Sequence, residues 1–225
     1  LVLGGGSNVL LKNDFDGVVI KNNISGYEIV KNEEEYTYVK AGGGEDWHQL
    51  VVKTLNQGLG GLENLSLIPG TVGASPMQNI GAYGVEIKDV FAELTAIKIS
   101  DATFHSFDPQ DCEFDYRSSI FKTRLNGQYI IASVTYRLTH QHHNLRMDYG
   151  AIQQTLREWK IENPTITDIS NAVVAIRQSK LPDPAEIGNS GSFFKNPVIS
   201  AANFDQLQMQ FKDMPGYQIN ESEVK

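Results

Sequence analysis

The sequence has little of what marks a secreted, membrane-spanning or nucleic-acid-binding protein. Its 225 residues include a single cysteine, Cys112, which excludes an intrachain disulfide and a zinc site made of cysteines. No apolar run approaches the roughly 20 residues that span a bilayer, and the first residues of this sequence do not show the charged-then-apolar pattern expected of an export signal. The net charge of -8 disfavours a general surface for nucleic acid or anionic membranes. We therefore expect a cytoplasmic protein that binds neither.

The periodicity of the remaining residues predicts an α+β fold. Strands are predicted from β-branched runs at 17–21, 36–40, 93–100 and 128–138. Helices are predicted at 46–56, from Ile152 to about Pro164, after a cap at Thr167, and after a cap at Ser200 with Phe204, Leu207 and Phe211 on one face. The proline-containing stretch 180–184 is the candidate domain boundary.

The segment LVLGGGSNVLL, residues 1–11, places three glycines directly after a short strand. Glycines at such a point allow main-chain N–H groups to approach a phosphate, although a simple tight turn explains the pattern equally well. A dinucleotide-binding Rossmann fingerprint is disfavoured, because Val9 stands where its third glycine belongs.

A second glycine-rich segment runs from Gly58 to Gly84 and has few charges. A loop of this length inside a compact domain is uncommon unless it wraps a ligand. The alternative is a solvated surface loop, but the segment is too apolar for that. We expect its main chain to contact a large polar cofactor.

Three further features carry no function alone. Arg117 lies between an aromatic residue and two serines and could hold a carboxylate, but most such arginines are surface residues. Ser192, in GSFFKNP, would ordinarily be a strand hydroxyl. The histidines at 140, 142 and 143 have no acidic partner at metal-ligand spacing, so no metal site is expected.

Taken in order, LVLGGGSNVLL, GLENLSLIPGTVGASPMQNIGAYG, YRSSIFK, KLPDP and GNSGSFFKNP resemble the family of UDP-N-acetylenolpyruvoylglucosamine reductase, or MurB. The resemblance implies the FAD-binding fold shared with vanillyl-alcohol-oxidase-type flavoproteins. It implies that residues 1–22 are the remainder of a first FAD-binding subdomain, 23–181 a second, and 182–225 the beginning of a substrate-binding domain. The family extends beyond both ends and supplies a catalytic glutamate after Lys225, so an incomplete chain is expected.

The resemblance also implies an activity. In the family, NADPH reduces non-covalent FAD, and UDP-N-acetylglucosamine enolpyruvate then receives the hydride to become UDP-N-acetylmuramate for peptidoglycan and cell-wall synthesis. We expect a monomer. Another FAD-dependent oxidoreductase of the same fold, and a nucleotide-sugar binding module without redox chemistry, remain alternatives.

The family's functional residues map onto this sequence position by position. Arg117 would stabilise the substrate carboxylate, and Ser192 would donate the proton to the carbon next to it. The predicted cofactor-binding residues are Gly4, Gly5, Gly6, Ser7, Asn8, Pro69, Gly70, Gly73, Ala74, Ser75, Gln78, Asn79, Gly81, Ala82 and Tyr83. The predicted substrate-binding residues are Tyr149, Arg177, Lys180, Lys195 and Asn196. For Tyr149, a plain exposed loop tyrosine is an equal alternative.

Overall fold

The computed structural model describes residues 1–189 and 195–225, and its chain divides into two compact units, Leu1–Gly191 and Ser192–Lys225. In the first unit the strands are β1 (Val2–Leu3), β2 (Ile20–Lys21), β3 (Tyr27–Asn32), β4 (Tyr36–Gly42), β5 (Gly81–Ala82), β6 (Val85–Glu86), β7 (Phe91–Lys98), β8 (Phe104–Phe107) and β9 (Tyr129–Thr139). The helices are α1 (Trp47–Leu55), α2 (Gly150–Glu158) and α3 (Ile166–Lys180). Helices beside an antiparallel sheet confirm the predicted α+β class.

The centre of the first unit is a five-stranded antiparallel sheet in the order β3-β4-β9-β7-β8. In β4, Thr37, Val39 and Ala41 are buried and alternate with partly exposed residues. This period of two gives the sheet one core-facing side. A separate parallel pair, β1 with β2, aligns Val2 with Ile20.

Helix α1 packs against the core-facing side of this sheet. It begins after Asp46, whose side chain accepts a hydrogen bond from the Gln49 amide at 2.9 Å, as an N-cap residue does. Trp47 is buried, meets Tyr136 of β9 edge to face at 5.8 Å, and donates from Nε1 to the Leu65 carbonyl at 2.8 Å. Burying each large apolar side chain contributes roughly 2 kcal/mol to folding.

The glycine-rich segment 58–84 is largely built into this core. It contains single 3₁₀ turns at Glu63–Leu65 and Val72–Ala74, and Leu62, Leu65 and Val72 are completely buried. Its apolar residues are therefore explained by packing, which neither a solvated loop nor a ligand-wrapping loop predicts on its own.

Helices α2 and α3 form a second apolar cluster of Ile152, Leu156, Ile169, Ala172, Val173 and Ile176. Helix α3 begins after Thr165, which forms a capping box with Asp168, so the predicted cap at Thr167 was wrong by two residues. Ser66 and Ser170 share a buried hydrogen bond of 2.7 Å that ties α3 to the glycine-rich segment.

The second unit contains β10 (Ile199–Ser200), α4 (Ala201–Gln210), β11 (Gln218–Asn220) and β12 (Glu223–Val224), with the strands in the antiparallel order β10-β12-β11. Ser200 caps α4 as predicted, accepting from the Asn203 amide at 3.2 Å. Of the three apolar residues predicted to share one face, Leu207 and Phe211 are exposed. Among the described residues, no helix combines the length and apolarity needed to cross a membrane.

The predicted boundary at 180–184 differs from the observed division. Helix α3 continues to Lys180, and the two compact units separate after Gly191. The assignment of 1–22, 23–181 and 182–225 to family subdomains stays a prediction.

Candidate functional site

A cleft of about 650 Å³ opens between the glycine turn after β1 and the segment from Gly70 to Gln78. Its apolar walls come from β1, β2 and the start of β9, while Asn22 and Lys122 contribute polar groups. The predicted cofactor residues that line it are Gly4, Gly5, Gly6, Ser7, Asn8, Gly70, Gly73, Ala74 and Gln78. Two segments far apart in sequence therefore meet at one concave site.

The cleft depends on residues without side chains. A Cβ added to Gly4 would lie 2.5 Å from Thr71 Oγ1, and one added to Gly5 would lie 3.3 Å from the Gly70 Cα. The two segments approach so closely that larger residues would force them apart, while Gly6 adopts φ +70°. Their main chains can approach a polar ligand directly.

Thr71 is one of the residues that line the cleft, and its hydroxyl is an unsatisfied buried group. Its Oγ1 is buried and has no hydrogen-bond partner among the residues that the structure describes. Leaving a buried hydroxyl unsatisfied costs about 1–3 kcal/mol. An orphaned hydroxyl beside a glycine cradle and apolar walls fits a ligand that is both polar and aromatic, as FAD is.

The other predicted cofactor residues lie outside the lining of the cleft: Pro69, Ser75, Asn79, Gly81, Ala82 and Tyr83. Ser75 is buried and bonds the Val72 carbonyl and the Tyr136 hydroxyl at 2.8 and 2.9 Å. The Asn79 amide is also buried and bonds protein groups. Since these contacts are internal, the predicted cofactor roles of the six residues stay predictions.

Arg117 lies against the tight hairpin of β5 and β6, an assembly we call the arginine hairpin. Its Nη1 is 3.3 Å from Glu86 Oε1, and its Nη2 donates to the Gly81 carbonyl at 2.5 Å. The hairpin turns through Tyr83 and Gly84, both at positive φ, as type I′ turns require. The guanidinium also lies over the Tyr116 ring, 5.1 Å from its centroid.

Lys122 connects the arginine hairpin to the cleft. Its Nζ lies 3.4 Å from Gln78 Oε1 and 3.4 Å from the Arg117 carbonyl, and both Lys122 and Gln78 line the cleft. Arg117 therefore lies next to the cleft, although the two features are predicted from different parts of the sequence.

Two of the predicted substrate residues meet at Tyr83, in the turn of the arginine hairpin. Tyr149 packs its ring edge to face against Tyr83 at 5.2 Å, and Arg177 interacts electrostatically with the Tyr83 side chain. Burial raises the pKa of Tyr83 and lowers that of Arg177, and their mutual contact opposes both shifts. Tyr149 is exposed and directly precedes α2, and its ring contacts Tyr83, so its role in substrate binding stays a prediction.

This cluster continues to Leu67, a non-glycine residue at φ +56°. Arg177 Nε donates to the Leu67 carbonyl at 3.1 Å, while the Leu67 amide donates to His48 Nδ1 at 3.0 Å. Partial burial lowers the pKa of His48, opposed by Asp46 and reinforced by Arg177. Both ends of a strained residue are therefore held by side chains immediately before Pro69 and Gly70.

The remaining predicted site residues are not brought to these features. Lys180 is exposed at the end of α3, one turn beyond Arg177. Lys195 and Asn196 belong to the second unit. Ser192 lies outside the described residues.

Comparison with known proteins identifies the family. A UDP-N-acetylenolpyruvoylglucosamine reductase of Flavobacterium johnsoniae is 50% identical over 224 residues, covering 100% of this chain and 66% of that protein. One of Pseudomonas fluorescens is 49% identical over 225 residues, with the same coverage of each. This chain belongs to the UDP-N-acetylenolpyruvoylglucosamine reductase family. It spans slightly less than two thirds of the length of these relatives.

Two further matches bear on the cofactor and the fold. Residues 1–108 match the FAD binding domain family, which confirms the prediction of FAD as the cofactor. A crystal structure of the reductase of Thermus caldophilus has a TM-score of 0.63 with this chain at 23% identity, covering 88% of this chain and 61% of that one. The predicted reductase fold is confirmed.

Sequence reasoning missed several polar groups of this reductase-family site: Thr71, Lys122, Glu86 and His48. Thr71 stands inside the quoted IPGTVGAS stretch, and Lys122 ends YRSSIFK, so both were available as polar residues within recognised blocks. The importance of Glu86 and His48 follows from contacts with residues distant in sequence, which no local pattern reveals.

Proposed function

We propose that this chain forms the FAD-holding part, and some of the substrate-holding part, of an NADPH-dependent reductase. The substrate is UDP-N-acetylglucosamine enolpyruvate and the product is UDP-N-acetylmuramate, a precursor for peptidoglycan and the cell wall. The protein acts in the cytoplasm as a monomer. The observation that supports this function best is the link from Arg117 through Lys122 to the glycine cleft.

The cleft is proposed to hold the cofactor. Main-chain groups of Gly4, Gly5 and Gly6 would hold its diphosphate, Thr71 Oγ1 would supply a hydrogen bond, and the apolar walls would cover its rings. The predicted residues between positions 69 and 83 would contact the rest of the cofactor. Residues 1–22 and 23–181 correspond in this proposal to the two FAD-binding subdomains, and 182–225 to the start of the substrate domain. When bound, FAD accepts a hydride from NADPH and delivers a hydride to the substrate.

Arg117 is proposed to stabilise the charge that develops during reduction. Hydride addition to the terminal vinyl carbon of an α,β-unsaturated carboxylate moves an electron pair toward that carboxylate. A fixed guanidinium beside the carboxylate therefore stabilises the transition state more than the ground state. The support is its fixed orientation, with hydrogen bonds to Glu86 and to the Gly81 carbonyl.

Ser192 is proposed to complete the reaction by donating its hydroxyl proton to the carbon next to the carboxylate. An alcohol is a weak acid, but an enediolate is a strong base, so transfer needs only correct placement. This role rests on the family resemblance of GNSGSFFKNP.

The UDP portion of the substrate is proposed to contact Tyr149, Arg177, Lys180, Lys195 and Asn196. The cluster of Tyr83, Tyr149 and Arg177 supports this assignment, because it gathers a partly buried cation and two aromatic rings. An acidic protein needs such local positive charge to hold a diphosphate.

The test is anaerobic spectroscopy of the full-length flavoprotein in two steps. We expect NADPH to bleach the flavin absorbance and UDP-N-acetylglucosamine enolpyruvate to restore it. Ser192→Ala should keep the first step and lose the second by at least about 100-fold. Replacing Ser222, outside the proposed site, by alanine is the matched control.

Other outcomes contradict the proposal in distinguishable ways. Bleaching without recovery in the wild-type protein would indicate a different FAD-dependent oxidoreductase. A protein that binds the nucleotide sugar without any flavin change would indicate a binding module.

A further inference from the structure

We propose that Glu86 is a positioning residue that holds the guanidinium of Arg117 in the orientation required for reduction. This inference rests on the proposed function, since the role assigned to Arg117 is to stabilise the substrate carboxylate. The inference assigns a role to Glu86 although Glu86 does not contact the substrate.

The guanidinium of Arg117 is held by two acceptors. Glu86 Oε1 engages Nη1 at 3.3 Å, and the Gly81 carbonyl engages Nη2 at 2.5 Å. Two acceptors on two different terminal nitrogens fix both the position and the plane of a guanidinium. Among the described residues, these are the hydrogen bonds of the Arg117 side chain.

The carboxylate of Glu86 is itself held in place by neighbouring groups. Its Oε2 accepts from Asn79 Nδ2 at 3.0 Å and pairs with Lys88 Nζ at 3.1 Å. It also forms a capping box with Asp89, whose side chain accepts the Glu86 amide at 2.9 Å. A carboxylate held from several sides gives its arginine partner a defined orientation rather than a mobile surface contact.

The local backbone at Arg117 is also unusual. Arg117 has φ +53°, in the left-handed region that costs a non-glycine residue about 1 kcal/mol. Asn79, also at positive φ, donates to the Asp115 carbonyl at 3.1 Å and so ties the hairpin to the chain just before Arg117. The Glu86 network therefore bridges the loop that carries Arg117 and the hairpin against which it lies.

A neighbouring carboxylate also weakens the positive field of an arginine. If charge were all that mattered, removing Glu86 would strengthen stabilisation of the substrate carboxylate. We infer that orientation outweighs this effect, because preorganised groups avoid reorganisation during the reaction. The sign of the change on removing Glu86 therefore separates the two possibilities.

The experiment measures the two half-reactions of the full-length flavoprotein by stopped-flow absorbance. Glu86→Ala should slow flavin reoxidation by the substrate about 30-fold, because misplacement near 1 Å can cost up to about 100-fold. Glu86→Gln, which keeps an oxygen for Arg117, should recover most of this loss. Flavin reduction by NADPH and the Kd of FAD, measured by fluorescence titration, should change less than about 2-fold.

Glu113→Ala is the matched control, because it also removes a carboxylate from an arginine pair, that with Arg124 at 2.6 Å, without touching Arg117 or Glu86. Its reoxidation rate should remain within about 2-fold of wild type, the scatter expected for a change outside the coupled pair.

A double-mutant cycle with Arg117→Ala decides whether Glu86 acts through the arginine. In the Arg117→Ala background, removing Glu86 should have no further effect on reoxidation. Should Glu86→Ala not fold, the same cycle with Glu86→Asp applies, because the shorter carboxylate does not reach Arg117 Nη1 from the same backbone, with a loss expected only when Arg117 is present.

Equal losses with and without Arg117, unchanged or faster reoxidation in the single variant, or a parallel loss of FAD affinity would each overturn the positioning role. Failure of the proposed function is distinct from these outcomes, since the wild-type protein would then not be reoxidised by the substrate at all.

Discussion

The glycine cleft and the arginine hairpin lie side by side but are built in opposite ways. In the cleft, Gly4 and Gly5 pass so close to Gly70 and Thr71 that side chains are excluded. In the arginine hairpin, the geometry comes from charged and amide side chains that bond one another. The comparison teaches that a cofactor can be held by main chain brought close, whereas a single functional cation must be oriented by its neighbours.

At Gly81 the arginine hairpin, like the cleft, requires a residue that has no side chain. An added Cβ would lie 2.7 Å from Arg117 Nη1 and 2.9 Å from the Val85 carbonyl. Glu86 Cγ would lie at the same 2.9 Å, so alanine here must displace both the Arg117 guanidinium and the hairpin around it. Gly81→Ala should slow substrate-dependent flavin reoxidation about 100-fold while flavin reduction by NADPH persists.

Gly84→Ala is the matched control within the same hairpin. Gly84 has φ +82° with open space around its Cβ position, so alanine there strains the turn by about 1 kcal/mol without displacing Arg117. Thermal unfolding should detect this change, and reoxidation should stay near wild type. Equal reoxidation rates for the two variants would show that Gly81 does not set the position of the arginine.

In the cleft, the corresponding change is Gly4→Ala. Its Cβ would displace the Thr71 hydroxyl, so the affinity for FAD should fall about 10-fold, or about 1.4 kcal/mol, in a fluorescence titration. Gly58→Ala, at φ +71° and outside the cleft lining, should lower stability without changing FAD affinity. An unchanged FAD affinity in Gly4→Ala would contradict a cleft built by close main-chain approach.

Thr71→Val tests the orphaned hydroxyl. Without cofactor, removal of a buried unsatisfied group should raise the free energy of unfolding by about 1 kcal/mol, while FAD affinity falls severalfold. Thr54→Val is the contrasting variant, because Thr54 Oγ1 is buried and donates to the Val51 carbonyl at 2.8 Å. It should destabilise the apoprotein by about 1 kcal/mol. Destabilisation of the apoprotein by both variants would argue against an unsatisfied Thr71.

The smallest expected effect concerns His48, which accepts the Leu67 amide hydrogen just before the cleft-lining segment 70–78. Its pKa is lowered on folding from the usual 6.5, so the unfolded chain binds the proton more readily. The stability from neutral His48 is present above pH 6.5 and is lost as pH falls through the lower folded-state pKa. At this half-buried site the loss should be roughly a few tenths of a kcal/mol.

His48→Asn should remove this part of the pH dependence, because an amide oxygen can accept the Leu67 N–H without titrating. Chemical denaturation between pH 5 and about 8 measures it. Exposed His142, replaced by asparagine, is the matched control and should leave the slope in place. If the pH dependence of the free energy of unfolding persists in His48→Asn, it arises from other groups.

Periodicity and capping residues predicted much of the fold. The apolar spacing of α1 and its Asp46 cap were sufficient for that helix, and the β-branched runs located β4, β7 and β9. Strand β3 was missed, since it is an edge strand with Ile29 and Val30 both exposed and shows no clean alternation. Local sequence patterns predict strands that are buried on one face, and they fail for strands that are defined mainly by main-chain pairing.

The site also has one part that local sequence patterns predict and one that they miss. Glycine-rich blocks predicted the cleft, because close approach requires glycine and glycine is visible in sequence. The fixing of Arg117 by Glu86 could not be predicted, since it joins residues 31 positions apart through a hairpin turn. Likewise, the burial of Ser75 and Asn79 within protein hydrogen bonds depends on Tyr136, Asp115 and other distant groups.

The position of the cleft across two distant segments has a consequence for how the chain resists degradation. Residues 8–21 are exposed throughout, and the short β1–β2 pair joins this segment to the protein beside the cleft. A cofactor that contacts both sides would hold the segment in place, because a ligand that binds only the folded arrangement lowers the population of opened forms. The supply of flavin would then govern the lifetime of the polypeptide in the cell as well as its chemistry.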